Sequence, residues 1–453
     1  MRTSRLLTFA ALTLWAAMAP AYGQSIYYTV TDLGTLRTID GQGTSSAYAI
    51  NDSGTVVGSA MCNSNQTPAW RNNRAFRLKP GGTMENLQLF GANPWFGIAF
   101  AISRDGTIAG GSARLSTSGA QAFRCSDGGA LANLPYLGSG PDAWGMSVNG
   151  SGHVVGYSVV GGSGCAGSYC GQPWSTSRPG YAARWPSGSV VEELAGLGGY
   201  YSVANAINDA GEICGFGAIL NGATHAFRIP PGGGTLDLGT LGGTNSEAWA
   251  INNSGHIVGC SLTAGNDNPH ATLWTSMAPE DLGALPGKPY SAALAITDNS
   301  LIVGYVADTN SPTDDHLEMG WKGSNPRAAL FPRGASPIDL NTCIATNSGW
   351  VLYRARGANG SGKIVGDGLH NGVGRAFLLT PCPILAARKN GLQVELYWNS
   401  QTNEQYQLQY CPDVTSGGWT DLGGPIAGNG TTNSVPADCS EPARFYRLIW
   451  LAN

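Results

Sequence analysis

The chain has 453 residues, of which only 12% are charged and 66 are glycine. This composition is typical of a rigid β-protein with many tight turns, and it excludes a helical or a disordered chain. The formal net charge is −4, and Lys and Arg are scattered along the sequence. The charge pattern therefore excludes the basic surface with which proteins bind nucleic acids or anionic membranes.

The N-terminus has the pattern of an export signal. Arg2 and Arg5 precede the apolar run Leu6–Met18, which is too short to remain as a membrane span. Small residues, Ala21 and Gly23, occupy the two positions that a signal peptidase reads. We therefore expect a signal peptide over residues 1–23 and a mature protein that is secreted or associated with the cell surface, without membrane insertion. The alternative is a retained N-terminal anchor.

One unit is repeated seven times between Tyr28 and Leu379. It consists of an Ala-rich strand, a turn of the Asn-Asp-Ser-Gly kind, a strand ending in Ile-Val-Gly, and an Ala-Phe strand, as in Ala204–Phe227. The glycines that close the second strand are Gly58, Gly110, Gly156, Gly215, Gly259, Gly304 and Gly366. Each copy offers four strand-like pieces, and four-stranded units of about 40–50 residues are typical of propeller blades.

The first strand of each copy alternates small and large residues. In the first copy Ala47 and Ala49 flank Tyr48, and the same pattern recurs in every copy. The larger residues are Tyr48, Phe100, Met146, Asn205, Trp249, Leu294 and Arg356. Because side chains on a strand alternate faces, we expect both small residues to share one face. Such a thin face is what radially packed sheets need near an axis.

The two ends of the repeat region predict a closed ring. The last copy stops after its third strand, Arg375–Leu379, whereas the chain begins with an orphan fourth strand, Tyr28–Leu36. The sequence thus predicts an all-β protein whose residues 27–382 form a seven-bladed β-propeller closed by the N-terminal strand, which hides the sheet edges. The alternative is an open solenoid of the same units.

The motif His225-Ala226-Phe227 completes the pattern DLG-x-L, AxAIN-x-SG-x-IVG, HAF. This pattern resembles the HAF-type repeat of bacterial extracellular proteins over roughly residues 28 to 380. Departures are Arg74, Gln121 and Arg375 in place of the His, and the looser copies Tyr181–Trp185 and Arg327–Phe331. The resemblance implies export and a propeller-like fold. The family carries no well-defined catalytic residues, so the resemblance implies none for this chain.

The pattern changes after Pro383. Apolar residues alternate with polar ones at Val394, Leu396 and Trp398, and a last strand is predicted at Arg444–Leu451. Residues 384–453 are therefore expected to form a small β-sandwich. The run QYQLQY, WTDLGG, RFYRL resembles the short fibronectin-III-like modules that end many secreted bacterial proteins, and such modules space, attach or bind.

Ten cysteines fit an oxidising compartment. Two disulfide bonds are plausible from the spacing. The candidate pairs are Cys165 with Cys170 and Cys411 with Cys439. Cys214 and Cys260 lie in or beside strands of different copies, where they are expected to be buried thiols.

The strand order places the short turns on one face of the ring and the long loops on the other, here called the long-loop face. Variable loops on a rigid scaffold usually carry binding. Aromatic residues of this face are the predicted ligand-binding residues, since they can stack on sugar rings. They are Trp95, Phe96, Tyr200, Tyr201, Tyr290, Trp350, Trp174 and Trp321. The alternative is that these rings fill the packing between blades.

One loop of this face is rich in oxygen ligands. Asp308, Asn310, Asp314 and Asp315 lie close together in sequence. They form a candidate calcium site, and a solvated acidic loop is the alternative. No other cofactor is expected.

The sequence lacks a nucleophile elbow, a His-Glu-x-x-His motif and a phosphate loop. We therefore expect a monomeric, non-enzymatic binding or scaffold protein that recognises a polysaccharide or a cell-surface or extracellular protein on the long-loop face, and no nucleic acid. The alternative is a carbohydrate-active enzyme, a glycoside hydrolase or polysaccharide lyase. Its candidate carboxylates are Asp142, Glu247 and Asp314.

Overall fold

The computed structural model describes residues 28–451, apart from 38–42, 63–72, 88–93, 115–118, 129–130, 141, 161–173, 176–177, 187–189, 266–267, 277, 309–324, 383–385, 391–392, 401–404, 412–418, 430–431 and 438–444. The predicted signal peptide, 1–23, and the cysteines Cys165 and Cys170 lie outside the described residues. The chain divides into two compact units, with the boundary between Thr380 and Pro381.

The first unit is built from antiparallel sheets whose strands follow one another along the chain. Strand β1 spans Tyr28–Asp32. Sheet 1 contains β2 (Ser45–Ile50), β3 (Val56–Met61), β4 (Asn73–Leu78) and β5 (Glu85–Asn86). Sheet 2 contains β6 (Pro94–Ile102), β7 (Ile108–Arg114), β8 (Ala120–Cys125) and β9 (Leu131–Asn133). Sheet 3 contains β10 (Ala143–Val148), β11 (Val154–Val159), β12 (Trp174–Ser175), β13 (Arg178–Trp185) and β14 (Glu192–Glu193).

The remaining copies form four-stranded sheets in the same way. Sheet 4 contains β15 (Gly198–Ile207), β16 (Ile213–Ile219), β17 (Thr224–Ile229) and β18 (Leu236–Asp237). Sheet 5 contains β19 (Gly242–Ile251), β20 (Ile257–Thr263), β21 (Pro269–Trp274) and β22 (Pro279–Asp281). Sheet 6 contains β23 (Tyr290–Ile296), β24 (Ile302–Ala307), β25 (Arg327–Leu330) and β26 (Ile338–Asp339), followed by a 3₁₀ helix at Leu340–Cys343.

Sheet 7 joins the two ends of the unit. Its strands are β27 (Trp350–Ala358), β28 (Ile364–His370), β29 (Val373–Pro381) and β1, in that order. The backbone amide of Leu33 donates to the carbonyl oxygen of Ala376 at 3.0 Å, and His370 Nδ1 lies 2.8 Å from Asp32 Oδ2. The N-terminal strand therefore completes the sheet of the last copy, as its sequence predicts.

Every first strand carries a β-bulge at the same place. In sheet 1, Ala47 pairs with Gly58 and Ala49 pairs with Val57, so that Tyr48 is the extra residue. The same irregularity occurs in the other six sheets. The glycine opposite the bulge is required because a Cβ there would overlap a carbonyl oxygen of the first strand. In sheet 4, for example, a Cβ on Gly215 would overlap the carbonyl oxygen of Val203.

This bulge overturns the expectation that both small residues share a face. Ala248 packs in the core between sheets 4 and 5, whereas Ala250 packs in the core between sheets 5 and 6. Ala204 and Ala206 are divided in the same way between the two sides of sheet 4. An inserted residue turns the strand, and alternation does not continue across it. Each sheet thus places one small residue against each neighbour.

The sheets pack side by side in a cycle. The first strands contact one another in the order β2, β6, β10, β15, β19, β23 and β27, and β27 contacts β2. Buried residues of sheet 1 share one core with Val365 and Ala376 of sheet 7 and another with Ile108 and Phe123 of sheet 2. Burial of apolar area between adjacent sheets is therefore the main stabilising term of this unit.

A belt of hydrogen bonds, here called the turn belt, connects the short turns. It is formed by the residue that precedes each turn: Asn51, Ser103, Asn149, Asn208, Asn252, Thr297 and Asn359. In all seven, the side-chain oxygen accepts from the backbone amide four residues on, at 2.9–3.1 Å. Each turn is thereby closed by its own side chain.

The five asparagines of the turn belt also reach the next sheet. Each Nδ2 donates to the carbonyl oxygen of the equivalent residue there at 3.1 Å. Asn359 of sheet 7 donates to Asn51 of sheet 1, so the belt crosses the junction between the two chain ends. Ser103 and Thr297 close their turns but have no amide group to donate.

The second unit contains two antiparallel sheets. Its strands are β30 (Ala386–Asn390), β31 (Gln393–Asn399), β32 (Gln405–Cys411), β33 (Thr420–Asp421), β34 (Ile426–Ala427), β35 (Thr432–Ala437) and β36 (Phe445–Leu451). One sheet has the order β30-β31-β35, and in the other β32 pairs with β33, β34 and β36. Leu396 and Trp398 of the first sheet share a core with Tyr406 and Leu408 of the second. Cys411 is a buried free thiol, so it does not form the expected disulfide bond; Cys439 lies outside the described residues.

Candidate functional site

The recurring histidines of the HAF motif serve the fold. His225 Nδ1 lies 2.8 Å from Asp237 Oδ2, and His270 Nδ1 lies 2.9 Å from Asp281 Oδ2. In both sheets the His belongs to the third strand and the Asp to the fourth. These pairs therefore connect the third strand of each of these two sheets to its outer strand.

Asp142 also has a structural position. It is fully buried, and its Oδ1 accepts from the backbone amide of Ala120 in the neighbouring sheet at 2.7 Å. Serines perform the same task elsewhere: Ser246 Oγ accepts from Ala226 N at 2.9 Å and donates to Gly239 O at 2.6 Å. Asp142 thus also joins adjacent sheets, although it is Ala143, the next residue, that holds the position of these serines in sheet 3.

The aromatic residues predicted to bind ligand occupy three kinds of position. Phe96 and Tyr201 are buried in the core shared by sheets 2, 3 and 4, and Tyr290 is fully buried with its hydroxyl 3.1 Å from that of Tyr305. The expectation that these three rings form an exposed platform is wrong, because they fill the packing between sheets.

Two rings remain at the end of the sheets that bears the long loops. Tyr200 is 41% exposed, with its ring centroid 5.1 Å from that of Tyr201. Trp350 is half-buried and stacks on His370 with centroids 4.7 Å apart. Trp95 and Trp174 lie in β6 and β12, but their side chains, like all of Trp321, lie outside the described residues.

The predicted calcium ligands are only partly described. Asp308 pairs with Lys288, whose Nζ lies 2.5 Å from Oδ1, and Asn325 donates to Oδ2 at 3.0 Å. Asn310, Asp314 and Asp315 lie outside the described residues. Among the residues that the structure does describe, no three His, Cys, Asp or Glu side chains gather in a way suited to a metal ion.

The bulge residues of neighbouring sheets contact one another. The rings of Tyr48 and Phe100 lie 5.2 Å apart, and the guanidinium of Arg356 lies 4.8 Å from the centroid of Tyr48. Arg356 also forms an ion pair with Asp367, and Arg354 Nη1 lies 3.8 Å from the same carboxylate. The bulges thus bring aromatic and charged side chains from different sheets together where the first strands meet.

Glu247 lies beside the bulge of sheet 5, next to Ala248. It is 6% exposed, and desolvation raises the pKa of its carboxyl group to about 8. The carboxyl is therefore mostly protonated at neutral pH. The sequence indicated Glu247 only by its place in the repeat; nothing in the sequence reveals its burial.

The structure thus defines an all-β protein with many four-stranded antiparallel sheets, which pack in a cycle in the first unit. No protein-family model matches the chain, and no curated protein matches it. Among the described residues, no helix is long and apolar enough to cross a membrane.

Solved structures show a weak likeness. A puromycin hydrolase is similar at 13% identity and a TM-score of 0.43, over 84% of this chain and 62% of that protein. A virginiamycin B lyase from Staphylococcus aureus is similar at 10% identity and a TM-score of 0.41, over 78% of this chain and 100% of that protein. The chain spans less than two thirds of the hydrolase, and at such identities and TM-scores these proteins transfer no activity to it.

Proposed function

We propose that the first unit is a seven-bladed β-propeller of HAF-type repeats closed by β1, and that the second is a fibronectin-III-like sandwich. The protein is an exported, non-enzymatic binding protein that recognises a polysaccharide or cell-surface partner on the long-loop face. The observation that supports this most is the cycle of contacts between first strands. A cyclic arrangement gathers the loops between second and third strands on one face, where a rigid scaffold can present them together.

The polar repeat residues support a binding role over catalysis. Each described His–Asp pair joins two strands of its own sheet, and Asp142 joins adjacent sheets. What varies between copies is the surface at the opposite end from the turn belt. There Tyr200 is 41% exposed and Leu220 is 89% exposed, and the Leu220 side chain lies beside Gly198, at the start of the strand that carries Tyr200.

The test is retention of the mature protein on an array of polysaccharides. Tyr200→Ala should reduce the affinity for the best-retained glycan about three- to tenfold, because an aromatic contact contributes roughly 0.5–1.5 kcal/mol. Leu236→Ala is the control, since Leu236 is comparably exposed but lies in the outer strand β18. Equal retention of the wild type and Tyr200→Ala contradicts the proposed surface, and cleavage of the bound glycan favours the enzyme alternative.

A further inference from the structure

Four uncharged side chains form a connected group at the long-loop end of sheets 4 and 5. The ring of Tyr200 lies 5.1 Å from the ring of Tyr201, and the Tyr201 hydroxyl lies 2.5 Å from Thr224 Oγ1. The backbone amide of Thr224 donates to Oδ1 of Asn245, in the first strand of sheet 5, at 3.1 Å. Contacts therefore run without a break from Tyr200 to Asn245. We call these four residues the Tyr200 patch.

The bond from Thr224 fixes the orientation of the Asn245 amide. A backbone N–H requires an acceptor, so the amide oxygen of Asn245 faces Thr224 and its nitrogen, Nδ2, points away from it. Asn245 is half-buried. Its Nδ2 is neither enclosed nor hydrogen-bonded to any group in the described part of the chain. Asn245 therefore offers N–H donors at the surface in a fixed direction.

The exposed ring of the Tyr200 patch is also held in place. Tyr200 is exposed, whereas Tyr201 is buried and packs against it in a T-shaped arrangement. The bond to Thr224 in turn anchors the Tyr201 hydroxyl. An aromatic side chain that is already supported loses little conformational freedom when a ligand stacks on it. The patch thus combines a preorganised ring with a preorganised amide donor.

The chemistry of the Tyr200 patch indicates the class of ligand. None of its four side chains carries a charge, so the patch itself offers no cation to a carboxylate or sulfate group. An aromatic face suits the C–H face of a pyranose ring, and an amide N–H donates to hydroxyl oxygens. A sugar without charged groups satisfies both.

We propose that the Tyr200 patch is the subsite of the long-loop face that binds an uncharged sugar unit of a polysaccharide. The sugar ring stacks on Tyr200, and one of its hydroxyl oxygens accepts from Asn245 Nδ2. This inference rests on the function proposed above and names its ligand class. Because no ion pair is involved, raising the salt concentration about tenfold should change the affinity less than about twofold.

The experiment is affinity electrophoresis in native gels that contain one polysaccharide each: neutral dextran, galactomannan or xyloglucan, or acidic alginate or polygalacturonate. We expect a neutral polysaccharide to retard the mature protein and the acidic ones not to. Asn245→Asp keeps the oxygen that accepts from Thr224 but lacks the N–H donor. It should weaken binding about three- to tenfold, as for the loss of one hydrogen bond.

Two controls accompany this variant. Asn133→Asp adds the same charge at an exposed position of the outer strand β9 and should bind as the wild type does. The melting temperature of Asn245→Asp should match that of the wild type, which excludes misfolding as the cause of weaker binding.

The outcomes separate this inference from the function on which it rests. If Tyr200→Ala weakens binding of the neutral polysaccharide and Asn245→Asp does not, the long-loop face binds polysaccharide and the subsite is wrongly assigned. Retardation by the acidic polysaccharides alone, lost at high salt, overturns the uncharged ligand and leaves a polysaccharide-binding protein. If none of the five polysaccharides retards the wild type, both the subsite and the proposed polysaccharide binding are refuted.

Discussion

At the scale of single residues, Glu247 should make stability depend on pH. Desolvation raises the pKa of its carboxyl from the usual 4.5 to about 8, so the folded protein holds this proton where the unfolded chain has lost it. The contribution is fully favourable below about pH 4.5 and is lost as pH rises to about 8. Glu247→Gln cannot ionise. Between pH 5 and pH 8 its free energy of unfolding should fall less than that of the wild type, by on the order of 4 kcal/mol. Urea unfolding at both pH values checks this. An equal change in the free energy of unfolding for the two proteins would contradict it.

At the scale of elements, the bulge and its facing glycine act as one unit. A Cβ on Gly215 would overlap the carbonyl oxygen of Val203 and approach the Phe227 ring to 2.9 Å. Gly215→Ala should therefore destabilise the protein by about 3 kcal/mol or more, since neither backbone nor a packed ring can move cheaply. Gly234→Ala is the control, because Gly234 lies in the loop between β17 and β18 and nothing lies within 4 Å of a Cβ there. Its effect should stay within about 0.5 kcal/mol. Similar melting temperatures for the two variants would show that the bulge can relax.

At the scale of the whole molecule, the turn belt has two interruptions. Ser103→Asn and Thr297→Asn should each add one donor toward the next sheet and stabilise the protein by about 1 kcal/mol, a typical net value for one hydrogen bond. Asn252→Ser creates an interruption like the native ones, since Ser keeps the bond that closes the turn but cannot donate to the next sheet. It should destabilise the protein by a similar amount. Thermal unfolding of the three variants measures these changes. Destabilisation by both asparagine substitutions would show that the interrupted junctions need a different geometry.

Several of these features could be predicted from the sequence. The repeat predicted antiparallel units of four strands, and the match between Tyr28–Leu36 and later fourth strands predicted where β1 pairs. The bulge was missed because alternation assumes a regular strand. The glycine after Ile-Val was expected to close the second strand, but Gly215 lies inside β16, and its close approach to Val203 and Phe227 exists only in three dimensions.

The candidate sites were harder to predict, since burial depends on the neighbouring sheet. Phe96, Tyr201 and Tyr290 were expected to be exposed on the long-loop face, but they lie within first strands, where adjacent sheets cover their rings. Likewise, Asn208 reads as a turn residue in sequence, and only packing shows that its amide reaches Asn252.

The pairing of β1 with β29 has a consequence for biosynthesis. His370 and Asp32 are 338 positions apart, so a nascent chain carries β1 with an unpaired edge until almost the entire first unit has been made. Contacts this distant in sequence form slowly, and exposed strand edges promote association between chains. A polypeptide truncated before Val373 should therefore aggregate and remain bound to holdase chaperones, because it lacks the strand with which β1 pairs.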